Sequence, residues 1–153
     1  MATRMLRPCG PDLSRWRRGG HSGQGLLEFA LILPIVLIIV IGALNFGMAF
    51  FVKVVLENSA REGAYFMVYN TEEGKADSFA ATKAAVQAEG QDSGVAIAAG
   101  DIAVECRVGA AVNNNCPIGS TVVVTVTHEM DLLVNVLFQG PLQLSNEARM
   151  LIP

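Results

Sequence analysis

The sequence predicts an α+β protein: a long N-terminal transmembrane helix continues into a small exported domain with a second helix and an antiparallel sheet. Three features carry that expectation. Residues 29–52, FALILPIVLIIVIGALNFGMAFFV, are 24 positions without a charged side chain. An alanine-rich stretch follows at 77–89, and the last third of the chain turns to β-branched residues, most clearly at 120–127. Helical segments first and strands afterwards is the order of an α+β chain.

Length and composition bound the reading. The chain has 153 residues, room for one domain. It is 52% hydrophobic and 16% charged, with a mean hydropathy of +0.42, which excludes a disordered chain. A net charge of -3 argues against a nucleic-acid partner. The charge is uneven. Residues 1–23 hold five arginines against Asp12, a net +4, and the remainder carries -7.

At about 1.5 Å per residue the uncharged run spans roughly 36 Å, enough to cross a bilayer core of about 30 Å with tilt. The arginines before it place the N-terminus in the cytoplasm and the acidic remainder across the membrane. Pro34 removes one backbone donor, so a local kink or loosened turn is expected there. Gly42, Asn45 and Gly47 interrupt the apolar surface. They read either as a contact for another helix, with Asn45 hydrogen-bonding across it, or as variation tolerated in a single-pass anchor. Glu28, one step before the run, is costly at a membrane boundary unless it stays wet or finds a partner.

The anchor helix is expected to continue to about Tyr69, with Glu57 and Arg61 as an i,i+4 pair and a small-residue face at Ala60, Gly63, Ala64 and Met67. Residues 70–74 should break it, and 77–89 should form the second helix. Residues 90–94 read as a turn. Strands are expected at 102–108, at 120–127, and at 142–145 with 148–151, with a loop at 113–119. His128, Glu129, Met130 and Asp131 read as a solvated turn.

A search for chemistry finds no phosphate-binding loop, no dinucleotide fingerprint and no zinc-protease helix motif. Ser59 or Ser145 with His128 would be a triad by residue type alone. His21 lies in the basic N-terminal segment and His128 alone cannot complete a zinc site, so neither a metal nor a cofactor is expected. No catalytic residue is assigned, and the chain reads as structural rather than enzymatic.

Residues Gly23-Gln24-Gly25-Leu26-Leu27-Glu28-Phe29-Ala30-Leu31-Ile32-Leu33-Pro34 follow the basic head. With the downstream Leu56-Glu57-Asn58-Ser59-Ala60-Arg61-Glu62-Gly63-Ala64, this resembles the TadE-like proteins, minor pilins (pseudopilins) of the tight-adherence type IV pilus system. The resemblance implies that a prepilin peptidase cuts on the cytoplasmic side after Gly23. Gln24 then becomes the first mature residue and Glu28 the fifth, followed by Phe29. It further implies that Glu28 pairs with the N-terminal amine of a neighbouring subunit, each group relieving the other's desolvation. Cyclisation of Gln24 would remove that amine. The implied partners are the peptidase, other pilins or pseudopilins, the pilus assembly machinery of the bacterial inner membrane, and the lipid bilayer.

On this reading residues 1–23 are a cleaved leader, 24–55 the transmembrane helix and 56–153 the exported domain. Two alternatives stay open. One is an uncleaved, membrane-anchored accessory or adhesive protein. The other is ordinary signal-peptidase cleavage after Gly47-Met48-Ala49, although a signal core of about 7–15 residues is shorter than this run.

Cys9 would leave with the leader, so Cys106 and Cys116 remain as an even pair in an oxidising compartment. A disulfide is the favoured reading, and two buried thiols the other. Residues 136–141, Val-Leu-Phe-Gln-Gly-Pro, match the cleavage site of picornaviral 3C proteases. Strand-like sequence follows them, so the match reads as natural coincidence. The apolar run 132–138 fits a membrane-proximal or partner-facing loop.

Overall fold

The computed structural model describes residues 22–131 and 140–153. The expectations for the leader and for the 3C-like run lie largely outside these residues. Helix α1 spans Ser22–Tyr69, and a short helix α2 spans Thr71–Lys75. A 3-10 turn, Ala76–Ser78, leads into helix α3, Ala80–Asp92. A second 3-10 turn, Ala99–Asp101, opens strand β1, Ile102–Val108. Strands β2, Ala111–Val112, β3, Thr121–Met130, and β4, Leu142–Leu151, complete the chain. The strands form one antiparallel sheet in the order β2-β1-β3-β4, so the α+β expectation holds.

The chain divides into two units, one ending at Val40 and the other Ile41–Pro153. The described part of the first is the opening of α1. Its side chains are exposed from Gly23 to Val40, and the helix runs through Pro34 without interruption. A proline inside a helix costs one hydrogen bond, and the surrounding apolar turns carry that loss.

In the second unit α1 is a core element. Val52, Val55, Leu56, Ala60, Ala64 and Met67 are buried at helical spacing. They meet Val86 of α3 and the inward row of the sheet, Ile102, Val104 and Cys106 on β1 and Val122, Val124 and Val126 on β3. Strand alternation explains that row, since residues two apart share a face. The other face is polar and holds the ion pairs Arg107–Glu105 and Arg149–Glu147. Val123 lies on that outer face yet is 4% exposed, because Glu105 and Arg149 flank it in register.

Several boundaries differ from expectation for local reasons. The break after α1 is the single residue Asn70. Its N–H donates to Phe66 O, and the Thr71 hydroxyl donates to Met67 O, satisfying the last carbonyls of α1. Helix α2 follows at once, where a five-residue loop was expected. Helix α3 starts three residues late because Asp77 and Phe79 have positive φ (45° and 65°), which ends the helical path before Ala80. It also runs through Gly90 to Asp92. A Cβ at Gly90 would stand 2.7 Å from Ile97 Cδ1 and 2.9 Å from Val95 O, so glycine lets the 95–97 segment pack against the helix. Strand β3 runs on to Met130, placing His128 and Glu129 in a ladder with Leu144 and Gln143 rather than in a turn. The two expected terminal strands are one, β4. The added strand β2 pairs its two residues with Arg107 and Val108.

Candidate functional site

The first turns of α1 carry the signature residues. Gly23 and Gln24 lie one and two places after the helix start, and Glu28 stands one turn beyond Gln24 on the same side. The Gln24 amide donates to Glu28 Oε1 at 3.4 Å, a long contact between exposed groups. Phe29 is exposed beside them, and a Cβ at Gly23 would meet no heavy atom within 4 Å. A small residue, an amide, a carboxylate and an aromatic ring are thus presented within two turns.

Further along, Gly42, Asn45 and Gly47 do not make one stripe. At about 100° per residue the two glycines stand about 140° apart around the axis. Both glycines are exposed with open space beside them. Asn45 is half-buried, one turn from Ile41 and one from Ala49, which are half-buried too. That row continues into the core at Val52. Beyond it, the Arg61 guanidinium reaches Glu57 at 2.5 Å across one turn.

Cys106 and Cys116 form a disulfide with Cα atoms 5.2 Å apart, both cysteines buried. Cys106 lies on the inward face of β1. Cys116 follows the turn after β2 with φ 50°. The bond therefore fixes the loop that β2 begins. The Asn113 side chain shapes that loop as well, accepting the Asn115 N–H at 3.1 Å. Replacing both cysteines by serine is expected to cost about 2–3 kcal/mol for a closed loop of this length. A urea titration of the full chain in detergent would read that as an earlier midpoint. An unchanged midpoint would show that the bond adds no stability.

Two features had no signal in the sequence, and a third had only part of one. Asn146 Nδ2 donates to Lys53 O at 3.0 Å, tying β4 to α1 across 93 residues. Tyr65 and Tyr69 stand ring to ring at 4.3 Å on the exposed side of α1, and their mutual hydrogen bond raises the Tyr65 phenol above its ordinary value. Gly63, legible in the sequence only as part of a small-residue face, is a point of close approach between α1 and α3, where an added Cβ would stand 2.3 Å from Val86 Cγ2.

The residue types that suggested a triad are not assembled. Ser59 is sealed in the core, and Ser145 and His128 project to opposite faces of the sheet by strand alternation. Among the described residues no group of three His, Cys, Asp or Glu side chains is placed to hold a metal ion. A cleft of about 320 Å³ beside the disulfide loop is lined by Val68, Thr71, Glu72, Lys75 and Ile118, among others, without a histidine.

Helix α1 is long and apolar enough to cross a membrane, with a mean hydropathy of 2.8 in its most apolar window. Residues 23–64 match a family model described as TadE-like protein. No curated protein and no solved structure matches the chain. The match opens at the glycine of the signature, crosses the whole apolar run and closes on the small-residue face that α1 buries. Residues 23–64 therefore form a TadE-like domain, consistent with a TadE-like protein of the tight-adherence pilus system.

Proposed function

We propose that the protein is a membrane-anchored minor pilin, or pseudopilin, of a tight-adherence pilus, processed after Gly23 and acting in assembly or initiation of the fibre. The observation that carries this reading is the start of the family match at Gly23, with Gln24 and Glu28 one helical turn apart behind it. Residues 1–23 are then the cytoplasmic leader and Gln24 the mature N-terminus. The anchor follows, leaving the bilayer near Phe51 and Lys53, because Val52 and Val55 already belong to the core of the exported domain. The outer face of the sheet and the exposed tyrosines are the surfaces left for neighbouring subunits.

Cleavage exposes an amine next to a carboxylate. In a bilayer boundary both lose hydration, and pairing with the opposite group of a neighbour offsets that loss. The Gln24 side chain, directed along the helix toward Glu28, keeps the carboxylate oriented until the neighbour arrives.

The deciding experiment is the N-terminal sequence of the chain from membranes that also hold a prepilin peptidase. A start at Gln24 is expected. A start at Met1 would make it an uncleaved anchored protein, and a start at Phe50 an ordinary secreted one. A second result concerns Glu28→Ala. Insertion should be unchanged, since the apolar run is intact. Incorporation into the pilus should fall by about tenfold or more, as expected for losing a charge-assisted bond of about 1.5–3 kcal/mol. Equal amounts of sheared pilus from mutant and wild type would remove the role assigned to Glu28.

A further inference from the structure

Strand β4 forms one edge of the sheet and β2 the other. Natural sheets blunt their edges with short strands, proline, lysine or a bulge, because unpaired main-chain groups template another strand. β2 follows that rule with two residues. β4 does not. Leu142–Leu151 runs ten residues in unbroken register with β3 and contains no proline, glycine or lysine. The Ile152 N–H donates to Ser120 O, so the alternation of an antiparallel ladder turns the main-chain groups of the even-numbered residues of β4 toward β3. The N–H and C=O groups of Gln143, Ser145, Glu147, Arg149 and Leu151 therefore point away from the sheet. Among the described residues no strand meets them.

We propose that this edge takes up an extended segment of a partner subunit, added antiparallel, with an acidic residue opposite Arg149 and a basic one opposite Glu147. Parity and charge set the pairing. A strand added in this direction and centred on Ala148 bonds to the outward-pointing odd positions. From Ser145 to Leu151 that makes about eight main-chain hydrogen bonds, two per bonded pair. Glu147 and Arg149 stand side by side on the outer face of the sheet and bond each other. Opposite charges placed across from them stabilise the added strand, and like charges oppose it. On the inner face Ala148 is small, and a cleft of about 300 Å³ opens between Met150 and the exposed side of α1 at Arg61, Glu62 and Tyr65. It leaves room for side chains of the incoming segment.

The occupant is a different chain. Glu147-Ala148-Arg149 is self-complementary about Ala148, so a second copy would satisfy the charges. Direction excludes it. Asn146 lies at Lys53, and Met150 lies beside Asn58 and Arg61, so β4 and α1 advance the same way. Two copies joined antiparallel through β4 would send their α1 helices in opposite directions, which chains anchored in one membrane cannot do. The anchor thus keeps the edge from closing on itself and leaves it to a segment that descends toward the bilayer. The inference rests on the membrane-anchored reading but not on leader cleavage.

A synthetic peptide of the β4 sequence, Leu-Gln-Leu-Ser-Asn-Glu-Ala-Arg-Met-Leu, is the probe, because it carries the complementary charges and no anchor. Fluorescently labelled and titrated with the full-length chain in lipid nanodiscs, it should saturate below about 1 mM. The same peptide with its glutamate and arginine exchanged should bind about tenfold more weakly, since both cross-strand pairs become like-charged. Glu147→Arg with Arg149→Glu in the protein should reverse that order of preference. Ser145→Pro removes an N–H that faces away from β3, so the chain should keep its melting temperature and its 106–116 disulfide while peptide binding falls by about tenfold. No saturation by about 1 mM, equal affinity for the two peptides, or native affinity in the Ser145→Pro chain would overturn the proposal. So would disulfide-linked dimers of an Ala148→Cys, Cys9→Ser chain in membranes, since they would make a second copy the occupant. The peptide titrations read a folded chain whatever its N-terminus, so their failure leaves the Gln24 start to be judged separately.

Discussion

A Gly23→Lys chain is expected to insert and fold as the native one does and to remain at its full length. Nothing in the fold opposes the lysine, because the space around Gly23 is open and its turn of α1 is exposed. What the substitution removes is access. A peptidase that cuts after Gly23 must bring its catalytic groups against the main chain, and glycine alone leaves both faces of that peptide uncovered. The added charge also moves the membrane boundary toward the scissile bond, in a head that already holds five arginines. Immunoblots of membranes with and without a prepilin peptidase would show one band for the mutant in both, against a shifted band for the native chain. A mutant that matures like the native protein would remove Gly23 from the processing site.

The second large effect is expected at Gly63. A methyl group there would meet Val86 Cγ2 at 2.3 Å, with Val124 Cγ1 at 3.5 Å and Thr82 O at 3.7 Å closing the other sides. Val86 is fully buried on α3 and, being β-branched, cannot rotate away cheaply. Overpacking of this kind costs about 1–3 kcal/mol, more where the backbone must move, and the better helix propensity of alanine returns up to about 1 kcal/mol. Gly63→Ala is therefore expected to lower the melting temperature of the detergent-solubilised chain by about 5–15 °C, given about 4–8 °C per kcal/mol for a domain near 100 residues. Gly63→Leu should exceed what a domain stable by about 5–15 kcal/mol can absorb. Its failure would appear as reactive thiols at Cys106 and Cys116. A Gly63→Ala chain that melts at or above the native temperature would show that the two helices are free to separate there.

The parts legible in sequence were those with a strong local pattern. Strand β1 falls where residues 102–108 alternate, and the long helix ends at Tyr69 as expected, because Asn70 and Thr71 are better at capping than at extending a helix. The pairing of Cys106 with Cys116 followed from cysteine arithmetic and compartment, and the geometry allows it. Contacts between distant segments were not legible. Gly63 reads from the sequence as part of a small-residue packing face and Gly90 as part of a turn, but neither reading shows that Val86 and the 95–97 segment are what come close. His128 and Glu129 look like turn residues, but pairing with β4 draws them into a strand. Asn146 gives no sign that it reaches Lys53. In the candidate site, Gln24 and Glu28 were legible as signature residues, but their contact across one turn emerged only from the structure, as did the separation of Asn45 from the two glycines.

The way α1 serves the sheet has a mechanical consequence. From Val52 to Met67 the helix is part of the core, with no linker between those turns and the apolar turns that begin at Ile41. A pull along the helix thus meets no slack segment that could lengthen first. The load enters the domain as shear between α1 and the sheet, shared by the whole interdigitated row of side chains and by the Asn146 hydrogen bond. Contacts loaded together must yield together, so a domain built this way behaves as a stiff coupling, and tension on α1 is felt at once at the disulfide-closed end of the sheet.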